Sequence, residues 1–448
     1  MQKKTLVLSG ILAMFLVTAL SPQKSQAVPS FGRQIQKPCT ACHTIWPNLN
    51  QYGRQFKVKA YTDVSPDWQM INKDRLNLLY VFPVSARFIF YPYERELNAV
   101  EGINSNSTEL NTVDLFIASR VFDYAGIFGN FEATNVTSGP FLFDIPTMKA
   151  AFQYPLGGST STEESGSSTQ GSTIGLVAFK GLATSADPFN SLGGRDRGLI
   201  FDNESVPWIL SKGWTFSYWS GANLGVVAHG YFLGNRLYAA VGAERGGDSA
   251  DAGAGFTNND NTNPFGGYFR LAWDQKLPNG ALTFGGAWYT GKERPDNQSG
   301  APEGYQSSVN RGYLDASLEQ NFGEDHLVEV QALYGYGRES NVFGGGEVRK
   351  FDGFNLEASY FYDRTIGLVG DYNMANMQGV LPSDVTNSVT GLIGNDQTRL
   401  STWVVAINYL PWLNTKVALQ YEQTKTKFAD DEPDETDKIF RVIFDILF

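Results

Sequence analysis

Short segments that alternate apolar and polar residues recur from about residue 75 to the end of the chain, and they restrict the fold more than any other feature. In 327–336, Val330 and Tyr334 fall on one face of an extended segment and Glu329 falls on the other. The segment 416–424 alternates in the same way. Alternation over strand-length segments suits a wall with lipid on one side and water or polar cargo on the other.

Composition and loop lengths favour a membrane barrel over a soluble sandwich. Aromatic residues make up 14% of the chain and charged residues only 18%, whereas soluble domains carry about 25% charge. Short turns alternating with long polar loops are typical of bacterial outer-membrane barrels. The predicted short turns are 123–125, 234–235, 278–280, 323–325 and 411–412, and the predicted long loops are 92–109, 183–223, 246–265, 291–311, 339–351, 375–398 and 428–437. One Gly/Ser/Thr-rich stretch, 156–172, falls on the short-turn side, so either this turn is long or a strand has been miscounted.

We therefore predict an all-β fold, a transmembrane antiparallel β-barrel of about 16 strands with a small N-terminal helical segment. The C-terminus alternates from Phe440 through Phe444 to Phe448 and resembles the final-strand signal of outer-membrane barrels. Pairing this strand with the first barrel strand would remove an exposed edge. After the N-terminal signal no segment approaches 18 consecutive apolar residues, so the sequence predicts no transmembrane helix.

The N-terminus has the three parts of a secretory signal. Lys3 and Lys4 give a basic start, residues 6–20 are apolar, and Ser25-Gln26-Ala27 is a small-x-small cleavage site. We expect the mature chain to begin after Ala27 and to be exported.

The two cysteines of the chain lie in the sequence Cys39-Thr40-Ala41-Cys42-His43. Cys-x-x-Cys-His is the attachment site of a c-type haem, in which two thiols bond the vinyl groups and the histidine is an axial iron ligand. A disulfide, a redox-active pair and half a zinc site are the alternatives. A zinc site needs about four ligands, and the chain offers two cysteines and three histidines. Export and the position of His43 favour one covalent haem c.

The motif divides the chain into a signal peptide (1–27), a monohaem cytochrome c segment (28–73) and a porin-like barrel (74–448). About 45 residues are too few to bury a porphyrin with a core of their own, whereas a barrel of about 16 strands has a wide lumen. We expect the haem segment to plug the lumen or its periplasmic mouth. A haem domain free in the periplasm is the alternative.

The identity of the second axial ligand of the iron does not follow from the motif. Met70 is the first methionine after His43, and His/Met ligation raises the potential of a c-type haem. Met148, His229 and His326 are rivals from the barrel, and His229 could face the lumen, whereas a surface position is the simpler reading of His326.

Several other residues of the haem segment suit a haem or a lumen wall. The segment is basic, and one or two of its cations could bond the haem propionates, as bidentate arginine does with carboxylates. The basic residues are Arg33, Lys37, Arg54, Lys57 and Lys59. The alternative is attraction of a basic segment to an acidic wall. Phe31, Trp46 and Phe56 are expected to pack on the porphyrin.

The predicted external loops are acidic. Residues 430–437 carry six carboxylates, and another loop contains Asp248, Asp251 and Asp260. Carboxylate oxygens attract divalent cations, although plain solubility also accounts for such runs.

The N-terminal motifs resemble those of the outer-membrane fused monohaem cytochrome–porin family. They are Ala27–Gln34, the Cys-x-x-Cys-His motif, Pro47-x-Leu49 and Tyr52-Gly53-Arg54-x-Phe56-Lys57. Because Arg33 and Arg54 lie in these motifs, the resemblance makes them the best candidate partners for the haem propionates. Ala60 departs from the family pattern, which has glycine before the tyrosine. The resemblance implies an iron(II) oxidase that takes electrons from extracellular iron(II) and passes them through one haem to a periplasmic c-type cytochrome, and nothing points to nucleic acid. Two other functions remain open, a solute porin whose haem segment is a gate or sensor, and a conduit that moves electrons outward.

Overall fold

The computed structural model describes residues 29–44, 48–63, 70–73, 76–79, 83–98, 104–134, 142–156, 171–180, 187–189, 224–245, 265–293, 307–342, 347–378, 397–412, 414–427 and 435–447. The predicted signal peptide, Trp46 and the acidic residues Asp248, Asp251 and Asp260 lie outside these ranges, as does most of the run 430–437.

Sixteen antiparallel strands form a closed barrel, which confirms the predicted fold. Each strand pairs with its neighbour in sequence, and the last strand pairs with the first to close the ring. The strands are β3 (Val84–Asn98), β4 (Asn104–Phe122), β5 (Ala125–Thr134), β6 (Leu142–Leu156), β7 (Ser172–Lys180), β8 (Leu224–Phe232), β9 (Leu237–Arg245), β10 (Phe265–Leu277), β11 (Gly280–Glu293), β12 (Ser307–Phe322), β13 (His326–Val342), β14 (Glu347–Tyr362), β15 (Ile366–Gln378), β16 (Gln397–Trp412), β17 (Thr415–Lys427) and β18 (Glu435–Leu447).

The two faces of the wall differ as the alternation predicts. Tyr334, Leu419 and Tyr421 are exposed on the outer surface, whereas Glu329 and Gln420, from the same strands, are buried on the inner one. An apolar, aromatic-rich exterior around a polar interior is that of an outer-membrane barrel. No helix in the described part of the chain is long and apolar enough to cross a membrane.

The two ends of the barrel are unequal. Short connections fall at one end, near Asp123, Gly234, Asn279, Gly323 and Asp363. Leu156 at the end of β6 pairs with Ser172 at the start of β7 at this same end, so β6 and β7 are neighbours in the ring with no strand between them. By analogy with bacterial barrels, this short-turn end is the periplasmic one.

Several of the predicted long loops are shorter than the sequence suggested, because the strands pair beyond the predicted bounds. Leu97 pairs with Asn104 inside the predicted loop 92–109. Glu293 pairs with Ser307, and Val342 pairs with Glu347. Most of these strand ends are polar, as in 104–109, and carry no apolar alternation that could mark them as strand.

The N-terminal segment forms two short helices and one turn of 3₁₀-helix. They are α1 (Pro29–Ile35), the 3₁₀ turn (Cys39–Ala41) and α2 (Gln51–Val58). A separate hairpin, β1 (Met70–Lys73) with β2 (Leu76–Leu79), precedes the barrel and spans the predicted boundary at residue 74.

The helical segment lies inside the barrel at the short-turn end. It contacts β3 and β4 through α1 and β8 through α2. Its apolar side chains share one cluster with the inner faces of strands on that side of the wall. Pairing of β18 with β3 therefore closes the barrel around this segment.

Candidate haem-attachment site

The Cys-x-x-Cys-His motif forms a compact turn that starts at Cys39. The amides of Cys42 and His43 both donate to the carbonyl oxygen of Cys39, at 3.1 and 2.9 Å. Cys39, Cys42 and His43 are all buried, and no disulfide joins the two cysteines. His43 then pairs with Leu49 in an isolated antiparallel bridge, which turns the chain back toward α2.

Asn50 fixes this turn to the start of α2. Its side-chain oxygen accepts a hydrogen bond from the amide of Gly53 at 3.0 Å, as an N-cap residue does. Its side-chain amide donates to the carbonyls of Thr40 and Ala41, each at 3.1 Å. Its backbone amide donates to the carbonyl of Cys42 at 2.9 Å. One residue thus caps the helix and holds the attachment turn.

Close backbone contacts on both sides of α2 require small residues. A Cβ at Gly53 would lie 2.1 Å from the carbonyl oxygen of Cys42, so only glycine allows the turn to approach the helix. A Cβ at Gly126 in β5 would lie 2.1 Å from the carbonyl oxygen of Ala60, where the segment meets the wall. Ala60 itself has a φ of 55°, a conformation at helix ends that glycine normally supplies.

Arg54 joins α2 to the opposite wall. Its guanidinium donates to both carboxylate oxygens of Asp274 at 2.9 and 3.1 Å, to Glu319 at 2.8 Å and to the carbonyl of Leu49 at 2.7 Å. Asp274 also accepts a hydrogen bond from Tyr231 at 2.5 Å. Burial acts to lower the pKa of Arg54, but Glu319 and Asp274 more than offset it, so its pKa lies above the ordinary value.

The contacts of Arg54 therefore match the alternative to propionate binding, which is attraction of the basic segment to an acidic wall. Four hydrogen bonds occupy most of the five N–H groups of an arginine. Arg33 differs, because its guanidinium donates to one carbonyl, that of Val84, at 2.8 Å and is half-buried. Propionate binding stays a prediction for both residues, and Arg33 has the more open guanidinium.

Further hydrogen bonds tie the segment to other strands of the wall. The Gln34 side chain donates to the carbonyl of Ala118 at 2.8 Å, and the amide of Ser30 donates to the hydroxyl of Ser85 at 3.0 Å. On the far side, the Asn48 side chain donates to Glu329 at 2.9 Å. The segment is thus held by β3, β4, β10, β12 and β13, on widely separated parts of the ring.

A short piece of the long connection between β7 and β8 also reaches the segment. The Lys57 ammonium donates to the carbonyl of Asp187 at 2.5 Å. The Asp187 carboxylate pairs with Arg270 of β10 at 2.9 Å. Phe189 packs against Tyr231, with ring centroids 6.4 Å apart. A connection that leaves the barrel at the long-loop end therefore meets the segment inside the lumen.

An apolar cluster surrounds the attachment turn. Phe31 stacks on Tyr61 with centroids 4.7 Å apart and meets Phe56 edge-on at 5.2 Å. Cys42 belongs to the same buried cluster. Burial raises the pKa of the Cys42 thiol to about 12, partly offset by the charge of Lys37. The surroundings of Cys42 are thus apolar and shielded from water.

These residues fit a haem c. Two unbridged cysteines, the following histidine and an apolar aromatic cluster are the donor set and the surroundings that a covalent porphyrin requires. Within the ranges that the structure describes, no three His, Cys, Asp or Glu side chains gather where they could hold a metal ion.

The candidate second ligands lie in different places. Met70 begins the β1–β2 hairpin, and its side chain lies outside the described residues. Met148 is exposed on the outer surface of the wall. His326 is exposed near the short-turn end and bonds to the hydroxyl of Tyr360 at 2.7 Å. His229 is buried on the inner face.

Sequence reasoning missed the residues that anchor the segment, which are Asn48, Asn50, Asp187, Tyr231, Asp274, Glu319 and Glu329. Asn50 alone had a local signal, since asparagine just before a helix is a common N-cap. The wall carboxylates alternate with apolar residues like any lumen-facing residue, so the sequence does not show which of them meets Arg54.

Comparison with known proteins bears on the barrel. No family model and no curated protein sequence matches the chain. An anion-selective porin from Comamonas acidovorans is similar in structure at 14% identity, with 82% of this chain and 99% of that chain covered and a TM-score of 0.48. In-vitro folded OmpT of Vibrio cholerae matches at 11% identity, over 85% and 100% of the chains, with a TM-score of 0.46. The outer membrane channel DcaP of Acinetobacter baumannii matches at 10% identity, over 82% and 97% of the chains, with a TM-score of 0.46.

Proposed function

We propose that this chain is an outer-membrane electron conduit with one haem c bound covalently to Cys39 and Cys42 and His43 as an axial ligand. The observation that carries the proposal is the fixed position of the attachment turn inside the barrel. Buried hydrogen bonds and ion pairs hold the segment to strands around much of the ring. A redox group fixed within the outer membrane is useful chiefly for moving electrons across it.

The haem, when bound, supplies reversible one-electron chemistry at its iron. The chain's own residues fix its place and exclude water. Asn50 and Gly53 hold the attachment turn on α2, and Arg54 holds α2 on the wall. Phe31, Phe56 and Tyr61 supply apolar surface beside Cys42.

The external electron donor in this proposal is iron(II). Each iron(II) ion loses one electron and becomes iron(III) outside the cell, and the same electron reduces an oxidised c-type cytochrome in the periplasm. The resemblance of the N-terminal motifs to the cytochrome–porins supports this donor, and the net charge of −11 favours approach of cations. The chain would then act as an iron(II):cytochrome c oxidoreductase.

The test uses the full-length protein purified from outer membranes in detergent. We expect haem that stays attached after denaturation, and a reduced-haem spectrum when iron(II) is added without oxygen. The matched control is the double variant Cys39→Ser/Cys42→Ser, which should carry no covalent haem. A parent protein without covalent haem would overturn the conduit. A parent whose covalent haem stays oxidised with excess iron(II), but is reduced by dithionite, would overturn iron(II) as the donor.

A further inference from the structure

His229 is a buried histidine that the barrel fold does not explain. It lies on the inner face of β8 and is 6% exposed. Its Nδ1 atom is buried and has no hydrogen-bond partner among the residues that the structure describes. A buried polar atom without a partner is unfavourable, so this nitrogen is available to a ligand from outside the described residues.

The position of the ring is defined by its neighbours. Gly175 pairs with His229 across β7 and β8. A Cβ at Gly175 would lie 2.5 Å from Nε2 of His229, so the ring occupies space that only glycine leaves open. The Tyr238 ring lies nearby, with centroids 6.0 Å apart. The Nε2 edge is thus turned to the wall, and Nδ1 is the nitrogen that lacks a partner.

His229 lies beside the haem segment. Helix α2 packs against β8, and the ammonium of Lys57 is a charged neighbour of His229. Gly53, one turn earlier on the same face of α2, lies against the carbonyl of Cys42. Residues four apart on a helix are about 6 Å apart. Cys42 and His229 therefore both lie beside α2, Cys42 against Gly53 and His229 on the strand that packs against the helix.

We propose that His229 is the second axial ligand of the haem iron, donated by the barrel wall through Nδ1. This inference rests on the proposed function, because it requires a haem on Cys39 and Cys42. A neutral imidazole is a common metal ligand, and a wall ligand would join the cofactor to the barrel as well as to the segment. The ligation would be His/His, with a lower potential than the His/Met ligation suggested by Met70.

The test compares His229→Ala with Met70→Leu and with His326→Ala, whose histidine lies exposed near the short-turn end. Covalent haem content and the spin state of the oxidised haem are measured by optical and electron paramagnetic resonance spectra. We expect every variant to keep covalent haem. His229→Ala alone should become high-spin, and added imidazole should restore the low-spin spectrum.

A second pair of variants covers the case in which His229→Ala does not fold. His229→Met keeps a possible ligand and should show a thioether–iron absorption band that the parent lacks. Gly175→Ala keeps every candidate ligand but displaces the ring, so it should also weaken the low-spin signal. Folding of each variant is checked by the shift in gel mobility that boiling causes in intact barrels.

The outcomes separate the two proposals. A low-spin spectrum unchanged in His229→Ala, or lost in Met70→Leu, would overturn His229 as the ligand and leave the conduit standing. A parent that carries no covalent haem would overturn the conduit, and the ligand assignment with it.

Discussion

At the scale of single residues, Arg54 links the haem segment to the wall through buried ion pairs. It is a buried cation that offsets two buried carboxylates, Asp274 and Glu319. Removing one partner of a buried ion pair costs about 3–5 kcal/mol, because the other charges stay buried without compensation.

We therefore expect Arg54→Gln to weaken docking of the segment by about 3–5 kcal/mol. Hydrogen exchange of residues 51–62 in the detergent-solubilised protein measures this, since local opening gives faster exchange. The control is Lys59→Gln, which removes a half-buried charge at the end of the same helix. Equal exchange in Arg54→Gln and the parent would mean that the ion pairs do not hold the segment.

Ala60 shows the opposite case, a residue whose replacement should stabilise the segment. Its φ of 55° lies in the left-handed region, which costs a residue with a Cβ about 1–2 kcal/mol. Ala60→Gly should therefore slow exchange of the α2 amides, corresponding to about 1 kcal/mol after the added chain entropy of glycine. Gln51→Gly places glycine at the other end of α2 and should speed exchange instead. Faster exchange in Ala60→Gly would contradict the strain argument.

At the scale of elements, the attachment turn and α2 behave as one unit because Asn50 bonds to both. Asn50→Ala should cost about 1–2 kcal/mol of helix stability through the lost cap and should lower the fraction of chains with covalent haem. Asn50→Asp keeps the cap acceptor but loses the two donors to Thr40 and Ala41. Haem staining of both variants, normalised to barrel content, separates the two roles. Normal haem content in both would show that the turn forms without Asn50.

The elements also show what the sequence can and cannot predict. The alternation in 327–336 gave the correct inner and outer faces because one face meets lipid and the other does not. The loop 92–109 was predicted too long, since residues 104–109, which pair with the end of β3, are all polar.

Contacts between distant elements were beyond sequence reasoning. An acidic wall was the predicted alternative for Arg54, but its partners Asp274 and Glu319 lie more than 200 residues away and could not be identified. Their meeting depends on the register of the closed barrel, which no local pattern encodes. The inward position of His229 follows from the alternation of residues along β8, but the sequence does not show that Lys57 is its neighbour.

At the scale of the whole molecule, the segment enclosed in the lumen allows ionic conductance to distinguish an electron conduit from an open pore. A wide barrel with its lumen blocked at the short-turn end should pass little ionic current. We expect the parent in planar bilayers to show far lower conductance than a variant lacking residues 29–63. Arg54→Gln should show intermittent openings between these limits. Conductance of the parent equal to that of the deletion variant would favour a solute porin.

The seam between β18 and β3 has a consequence for how such a molecule is made. The cysteines lie at the start of the chain, and the strand that completes the ring lies at its end. Once the ring is complete, Cys39 and Cys42 are buried inside it. On the proposed function, maturation in the periplasm has an obligatory order. The thioether bonds form first, on the unfolded N-terminal segment, and the barrel is inserted into the outer membrane last.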